Sequence, residues 1–289
     1  MTTLLTRLRN VRPDRQPLTS RSFSVNLEGA GADGEIRVQT ICPPAAPGPL
    51  GLVASQSPRD TATVSVMIPT LNEAGNLPYV LNTIPAWVDE VVIVDGRSGD
   101  DTLRVAKVLR PDARIVHELR PGKGVAMRTG FAAATGQIII ALDADGSMDG
   151  AEIGKFRDAL LAGADYVKGS RFAPGAGSAD ITPFRRFGDG GICFLLRLLY
   201  GAHYSDATYG YIGIWADKVG HLRLDSDGFE VETLIGIRAQ RAKLKIAEVP
   251  CFESHRIHGN SNLHALRDGL RIFRVIIQER LRSYRVPTS

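Results

Sequence analysis

From Thr63 onward the chain repeats one pattern: a short apolar run, then a helical stripe, then another apolar run. "TVSVMIP", "EVVIVD", "ARIVHE", "QIIIALD" and "DYVKGS" read as strands. Between them "GNLPYVLNTI", "DDTLRVAKVLR", "KGVAMRTGFAAA" and "GAEIGKFRDALLAG" read as helices. Such alternation builds βαβ units and a mainly parallel sheet. Strands covered on both faces are apolar throughout, which accounts for "IIIAL". The expected fold is α/β and Rossmann-like, a central sheet flanked by helices. After residue 180 the alternation loosens. A helix over about 186–200, a strand in "TYGYIGIWA", a helix in "FEVETLIGIRAQRA" and a strand in "KLKIAEVPCF" are expected there. A long helix then runs from Leu263 to about Tyr284.

Composition narrows the class. With 289 residues, 44% hydrophobic and 23% charged, the chain has enough apolar material for a core. Its net charge of +4 suits anionic ligands such as nucleotides or a lipid surface. No pattern of the common nucleic-acid modules occurs, so nucleic acid is not expected as a partner. Cys42, Cys193 and Cys251 have neither metal nor redox spacing and read as reduced thiols of a cytosolic protein. The opening "MTTLLTRLRNVRPDRQ" lacks the apolar core of a signal peptide. "GICFLLRLLYG" is broken by Arg197 and falls well short of the ~20 residues that span a bilayer. A cytoplasmic location is therefore expected. Residues 1–60 mix Pro, Gly, Ala and Ser and are expected to be a flexible extension. A main domain over 61–262 and a basic amphipathic helix and tail over 263–289 complete the organisation.

"GAGADG", Gly29–Gly34, matches a dinucleotide-binding pattern, but a strand-like "EIRVQTI" follows where that pattern requires a helix. It is read as a glycine-rich loop. The chemistry lies at the strand ends, where open α/β sheets bind ligands. "QIIIALDADGSMDG" carries a buried strand into Asp143 and Asp145. In extended chain, residues i and i+2 share a side, and two carboxylates on one side are half a site for a hard divalent cation. A plain Asp-Gly turn is the alternative. Other strand ends add Asn72 and Glu73, then Asp95, Ser98 and Asp100, then Arg171. Lys123 stands between two glycines at a helix start, where N–H groups favour phosphate.

"VSVMIPTLNE", "VVIVDGRSGDDT", "GKGVAMRTGFAAATG", "DADGS", "GSRF", "GFEVETL" and "HRIHGNSN" occur in the order found in family 2 glycosyltransferases. The resemblance covers roughly residues 63–262, and its nearest branch looks like the dolichyl- or polyprenyl-phosphate mannosyltransferases. It implies a GT-A fold and a nucleotide-sugar donor, GDP- or UDP-hexose. Pro69, Thr70, Asn72, Glu73 and Asp95 would line the nucleoside pocket, with Lys123, Asp143 and Ala144 completing the nucleotide site. Asp143 and Asp145 would hold Mg²⁺ or Mn²⁺ against the diphosphate.

The resemblance also implies an acceptor. A polyprenyl phosphate is already anionic near neutral pH and needs no base. It needs cations, and Arg171, Arg256, His258 and Ser261 are the expected set. The resulting expectation is an inverting, metal-dependent hexosyltransferase of cell-envelope glycan synthesis, mannose or glucose being transferred. The alternative is a hydroxyl acceptor on a polysaccharide or soluble metabolite, with Glu230 as base. Since i and i+2 do not share a helix face, only one of Glu230 and Glu232 is expected to point inward. A non-catalytic nucleotide-binding module is the remaining class. Three departures from the family pattern stand out: Asp95-Gly96 in place of paired aspartates, Ser147 in place of Gln, and no C-terminal transmembrane segment. In the tail, Leu263, Leu266, Leu270, Phe273, Ile277, Leu281 and Tyr284 recur at helical spacing beside a stripe of arginines, which suits either packing on the chain's own domain or a peripheral position on the inner face of the cytoplasmic membrane.

Overall fold

The structure, a computed structural model, describes residues 62–259 and 265–282. The extension over 1–60, Cys42, the Gly29–Gly34 motif, Ser261 and the first and last positions of the expected tail helix lie outside those residues.

Nine strands and eight α-helices follow in chain order among the described residues: β1 (Val64–Thr70), α1 (Leu77–Thr83), β2 (Glu90–Asp95), α2 (Thr102–Leu109), β3 (Arg114–His117), α3 (Lys123–Ala133), β4 (Ile138–Ala141), α4 (Ile153–Leu161), β5 (Tyr166–Ser170), β6 (Gly177–Ser178), α5 (Pro183–Tyr200), β7 (Ile212–Trp215), α6 (Val219–Leu222), α7 (Val231–Arg241), β8 (Ile246–Pro250), β9 (Phe252–Glu253) and α8 (Ala265–Leu281). The seven-stranded sheet has the order β3-β2-β1-β4-β7-β5-β8. Only β7 runs against its neighbours, pairing antiparallel with β4 and β5. This is the GT-A-like, mainly parallel sheet flanked by helices, with a long C-terminal helix.

Strand periodicity divides the core into two layers. Val64, Val66 and Ile68 of β1, with Ile138 and Ile140 of β4, face α1, α2 and α4. Met67, Ile139 and Ala141 face the other way, onto α3 and α7. A third cluster joins α5, α7 and α8 through Leu196, Ile237, Ile272 and Ile276.

The single reversed strand decides what reaches the cleft. Parallel strands deliver the residues that follow them: Gly96 and Arg97, Asp143, and Arg171. A reversed strand delivers the residues that precede it, so Asp206, Thr208 and Tyr209 arrive at the same sheet edge. The strand expected across "TYGYIGIWA" is therefore shorter, because Tyr209 and Tyr211 are packed core residues ahead of its ladder.

Two glycines at the start of α3 serve close packing. A Cβ at Gly124 would stand 2.1 Å from the Ser226 carbonyl oxygen, and one at Gly122 2.1 Å from that of Asp227. The Gly124 N–H donates to the Asp227 carbonyl at 2.9 Å. Part of the N–H array that phosphate was expected to meet is thus already used. Gly→Ala inside a helix normally stabilises by about 0.5–1 kcal/mol. At Gly124 the sign reverses: Gly124→Ala should cost about 1–3 kcal/mol through overpacking. Gly188→Ala in α5, where a Cβ meets nothing within 4 Å, should show the ordinary gain. Urea unfolding of the two variants checks both signs.

Candidate active site

A cleft of about 330 Å³ opens at the carboxyl edge of the sheet. Pro69, Thr70, Glu73, Lys123, Asp143, Ala144, Asp145, Arg171 and Arg256 of the expected set line it. Both aspartates line the cleft, but the chain turns at Ala144 and Asp145 and does not stay extended. Gly146 then turns the backbone with φ +79°, and its missing Cβ leaves room for Ile257.

Each aspartate is held by a cation from a distant part of the chain. Lys123 Nζ lies 2.8 Å from Asp143 and 2.5 Å from Glu232. Burial works against the charge of Lys123, but the two carboxylates together raise its pKa above the ordinary lysine range. Burial raises Glu232, with Lys123 pulling against it. Arg256 reaches Asp145 at 3.3 Å and forms a second, closer ion pair with Glu73. Burial raises Glu73, and hydrogen bonds from Asn76 together with the charge of Arg256 oppose that rise.

Arg171 is buried in a cage of its own. Its Nε contacts Asp206 at 2.7 Å, one terminal nitrogen contacts Glu253 at 3.2 Å, and the other contacts Asp206 and Thr208 at 3.0 Å. The Tyr209 ring packs 4.9 Å from the guanidinium carbon. Each nitrogen of Arg171 thus already faces a protein partner, and the residue lines the cleft from within that cage.

Several expected residues serve the frame. Asp95 accepts the backbone N–H groups of Arg97 and Ser98 at 3.2 Å, so Gly96 and Arg97 face the cleft in its place. Asn72, with φ +56°, accepts from Gly99 N–H at 2.8 Å and lines a smaller adjoining cavity. His258 is in that second cavity too, its backbone clasped by both ends of the Asn76 amide. Glu230 is turned away from the cleft and accepts from Ser226 Oγ at 2.6 Å and Gly228 N–H at 3.1 Å. Of the pair, Glu232 is the acid that lines the cleft. The residues that sequence reasoning missed are Arg97, Arg120, Asp180, Arg185, Phe229 and Glu253. Only Glu253, next to the end of a strand, left a usable signal.

The carboxylate pair suits a divalent ion that arrives with its ligand. Asp143 and Asp145 are partly exposed, with side-chain accessibilities of 25% and 23%. No group of three or more His, Cys, Asp or Glu side chains fit to hold a metal occurs among the described residues. Mg²⁺-type ions commonly take one or two carboxylates and complete their shell with phosphate oxygens and water.

A cleft of this kind at the carboxyl edge of a GT-A-like sheet defines a glycosyltransferase. Residues 65–221, more than half of the chain, match Glycosyl transferase family 2, and the chain belongs to that family. The glycosyltransferase AglJ of Haloferax volcanii is 31% identical over 73% of this chain and 69% of its own. The polyprenol monophosphomannose synthase of Mycolicibacterium smegmatis is 31% identical over 71% of this chain and 82% of its own. An uncharacterized glycosyltransferase of Mycobacterium tuberculosis is 46% identical, but over 37% of this chain; the match spans 48%, about half, of that relative's length. Among solved structures, glucosyl-3-phosphoglycerate synthase from M. tuberculosis, in complex with Mn²⁺, UDP and glucosyl-3-phosphoglycerate, superposes with a TM-score of 0.61. It is 24% identical, over 80% of this chain and 83% of that one. The same enzyme with Mn²⁺, UDP-glucose and phosphoglyceric acid gives 0.58 at 24% identity, again over 80% and 83%.

These comparisons correct the branch. The polyprenyl-phosphate mannosyltransferase assignment, its lipid acceptor and the cell-envelope glycan role give way to a likeness with structures that hold UDP and a soluble phosphorylated acid. The commitment of Arg171 supplies a physical reason, since the expected acceptor clamp is occupied. The expectation of Mg²⁺ or Mn²⁺ agrees with the ions those structures hold beside UDP.

Arg256→Met tests the electrostatic frame. Without the guanidinium, the folded-state pKa of Glu73 should rise further. A raised carboxyl destabilises where the unfolded chain ionises it, above about pH 4.3, and not below. The variant should lose about 2 kcal/mol at pH 7, with the difference from the parent shrinking as the pH falls through the carboxylate range. Urea midpoints at the two ends of that range measure it.

Proposed function

We propose that this chain transfers a hexose from a UDP-sugar to a hydroxyl group of a small phosphorylated acid, with phosphoglycerate as the first acceptor to test. One observation carries the reading. The cleft that holds Asp143 and Asp145 also holds Arg185, whose guanidinium makes a single ion pair among the described residues, to Asp180 at 3.2 Å. Arg97 faces the same space with no ion pair among the described residues. A doubly anionic acceptor is matched by such underused cations. The likeness to glucosyl-3-phosphoglycerate synthase, whose complexes contain UDP-glucose and phosphoglyceric acid, supports the same substrate class.

In this reading Asp143 and Asp145 would hold Mg²⁺ or Mn²⁺, which when bound acts as a Lewis acid on the diphosphate. The chain's own residues do the rest. Thr70, Gly96 and Arg97 border the nucleoside end. Lys123 and Arg256 keep the carboxylates neutralised before the donor enters, and their positive charge then faces the diphosphate. Glu232 orients Lys123. Arg185 fixes the acceptor so that its hydroxyl faces the sugar. Glu73, Asp180, Glu232 and Glu253 all carry ion pairs to Arg256, Arg185, Lys123 and Arg171. The acceptor proton therefore goes to a carboxylate whose pair has opened, or to the departing diphosphate oxygen.

Mass spectrometry of UDP-hexoses incubated with phosphoglycerate should show a hexosyl product that disappears with chelator. Product formed on a phosphate oxygen, or none from any phosphorylated acid, overturns the reading. Arg185→Ala should raise KM for the acceptor at least ~10-fold, the loss of one charged hydrogen bond. KM for the donor should stay within ~2-fold.

Glu230→Gln and Glu232→Gln separate the two acids. Glu232→Gln should lower kcat by ~10²-fold or more, and Glu230→Gln by less than ~10-fold. Steady-state kinetics with the identified acceptor decide between them.

A further inference from the structure

We infer that the outward faces of α5 and α8 form a docking surface for an anionic lipid bilayer. The inference is independent of the acceptor.

The two helices pack on one another through Leu196, Ile272 and Ile276, and the Tyr200 hydroxyl donates to the Ile276 carbonyl at 2.5 Å. Their inner faces are thus accounted for. Opposite the core, α5 presents Phe187, Phe194 and Leu198 at 83%, 64% and 67% exposure. On α8, Leu270, Phe273 and Leu281 are exposed at 71%, 49% and 83%. The spacings are helical, so each set forms a continuous stripe. Stripes of large apolar side chains in water mark an interaction surface.

Charge selects the occupant. The two helices contain three acids, Asp189, Asp268 and Glu279, and all three are buried. Asp189 accepts from the Thr208 N–H and hydroxyl, Asp268 pairs with Arg271, and Glu279 pairs with Arg238. The exposed charge on both helices is therefore positive. Arg186, Arg197, Arg274 and Arg280 are exposed and make no ion pair among the described residues. A second copy of the chain would set cation against cation. A negatively charged membrane surface offers apolar depth for the phenylalanines and leucines and phosphates for the arginines. No helix among the described residues is long and apolar enough to cross a membrane, so the contact is one of lying on the surface.

Co-sedimentation of the full chain with phosphatidylcholine vesicles, with and without phosphatidylglycerol, tests this. Binding is expected to vesicles containing phosphatidylglycerol and not to pure phosphatidylcholine, and it should weaken as salt is added. Each arginine removed near the surface should cost roughly fivefold in affinity, so Arg274→Glu with Arg280→Glu should cost at least ~10-fold. Phe187→Ser, on the other helix, should weaken binding independently while leaving the circular-dichroism melt in place. Hexose transfer in solution should be unchanged in both variants. Failure to bind phosphatidylglycerol vesicles, or equal binding by parent and variants, overturns the proposal. So does a concentration-dependent dimer in sedimentation velocity that Leu270→Ser dissolves.

Discussion

The site rests on mutual neutralisation between carboxylates brought to one edge of the sheet and cations brought there from elsewhere. Lys123 starts a helix, Asp143 follows a strand, and Glu232 sits in the first turn of another helix. Arg256, far along the chain, closes on Asp145 and Glu73. Buried charges tolerate one another only in such combinations, because removing one partner leaves an uncompensated charge in a medium that solvates it poorly. The cleft is therefore an ionic lattice, and its geometry is set by contacts between segments from 20 to 183 residues apart.

The sheet was largely legible because parallel strands buried on both faces leave unbroken apolar runs. The runs from β1 to β5 gave both the strands and the edge where ligands bind. The reversal of β7 was not legible, since an antiparallel strand between two buried neighbours is as apolar as a parallel one. The resemblance pointed to Asp206, Tyr209 and Tyr211 as a stretch near the acceptor, but not to the reversal that brings Thr208 and Tyr209 to the cleft and Asp206 beneath it against Arg171.

The individual side chains were legible only in part. The Asp143/Asp145 pair was legible as two acids after a buried strand, although the chain turns there and the extended spacing does not hold. The choice between Glu230 and Glu232 depends on where α7 begins. It begins at Val231, so Glu230 stands just before the helix and folds back on Ser226 and Gly228, and Glu232 turns inward. Arg171 was a sound candidate for a ligand-binding cation until its partners were known. Asp206 and Glu253 are 35 and 82 residues away, and nothing local announces them. The lipid-acceptor reading counted Arg171 with Arg256, His258 and Ser261 as its cations, and it was the likeness to structures holding a soluble phosphorylated acid that corrected it.

The glycines at the start of α3 have a mechanical consequence. With the carbonyls of Ser226 and Asp227 seated where side chains would be, the first turn of α3 and the approach to α7 form a single lever. The Lys123 ammonium also lies 5.7 Å from the centre of the Phe229 ring, on the far arm of that lever. An anion paired with Lys123 would therefore sit beside an aromatic face that lines the same cleft.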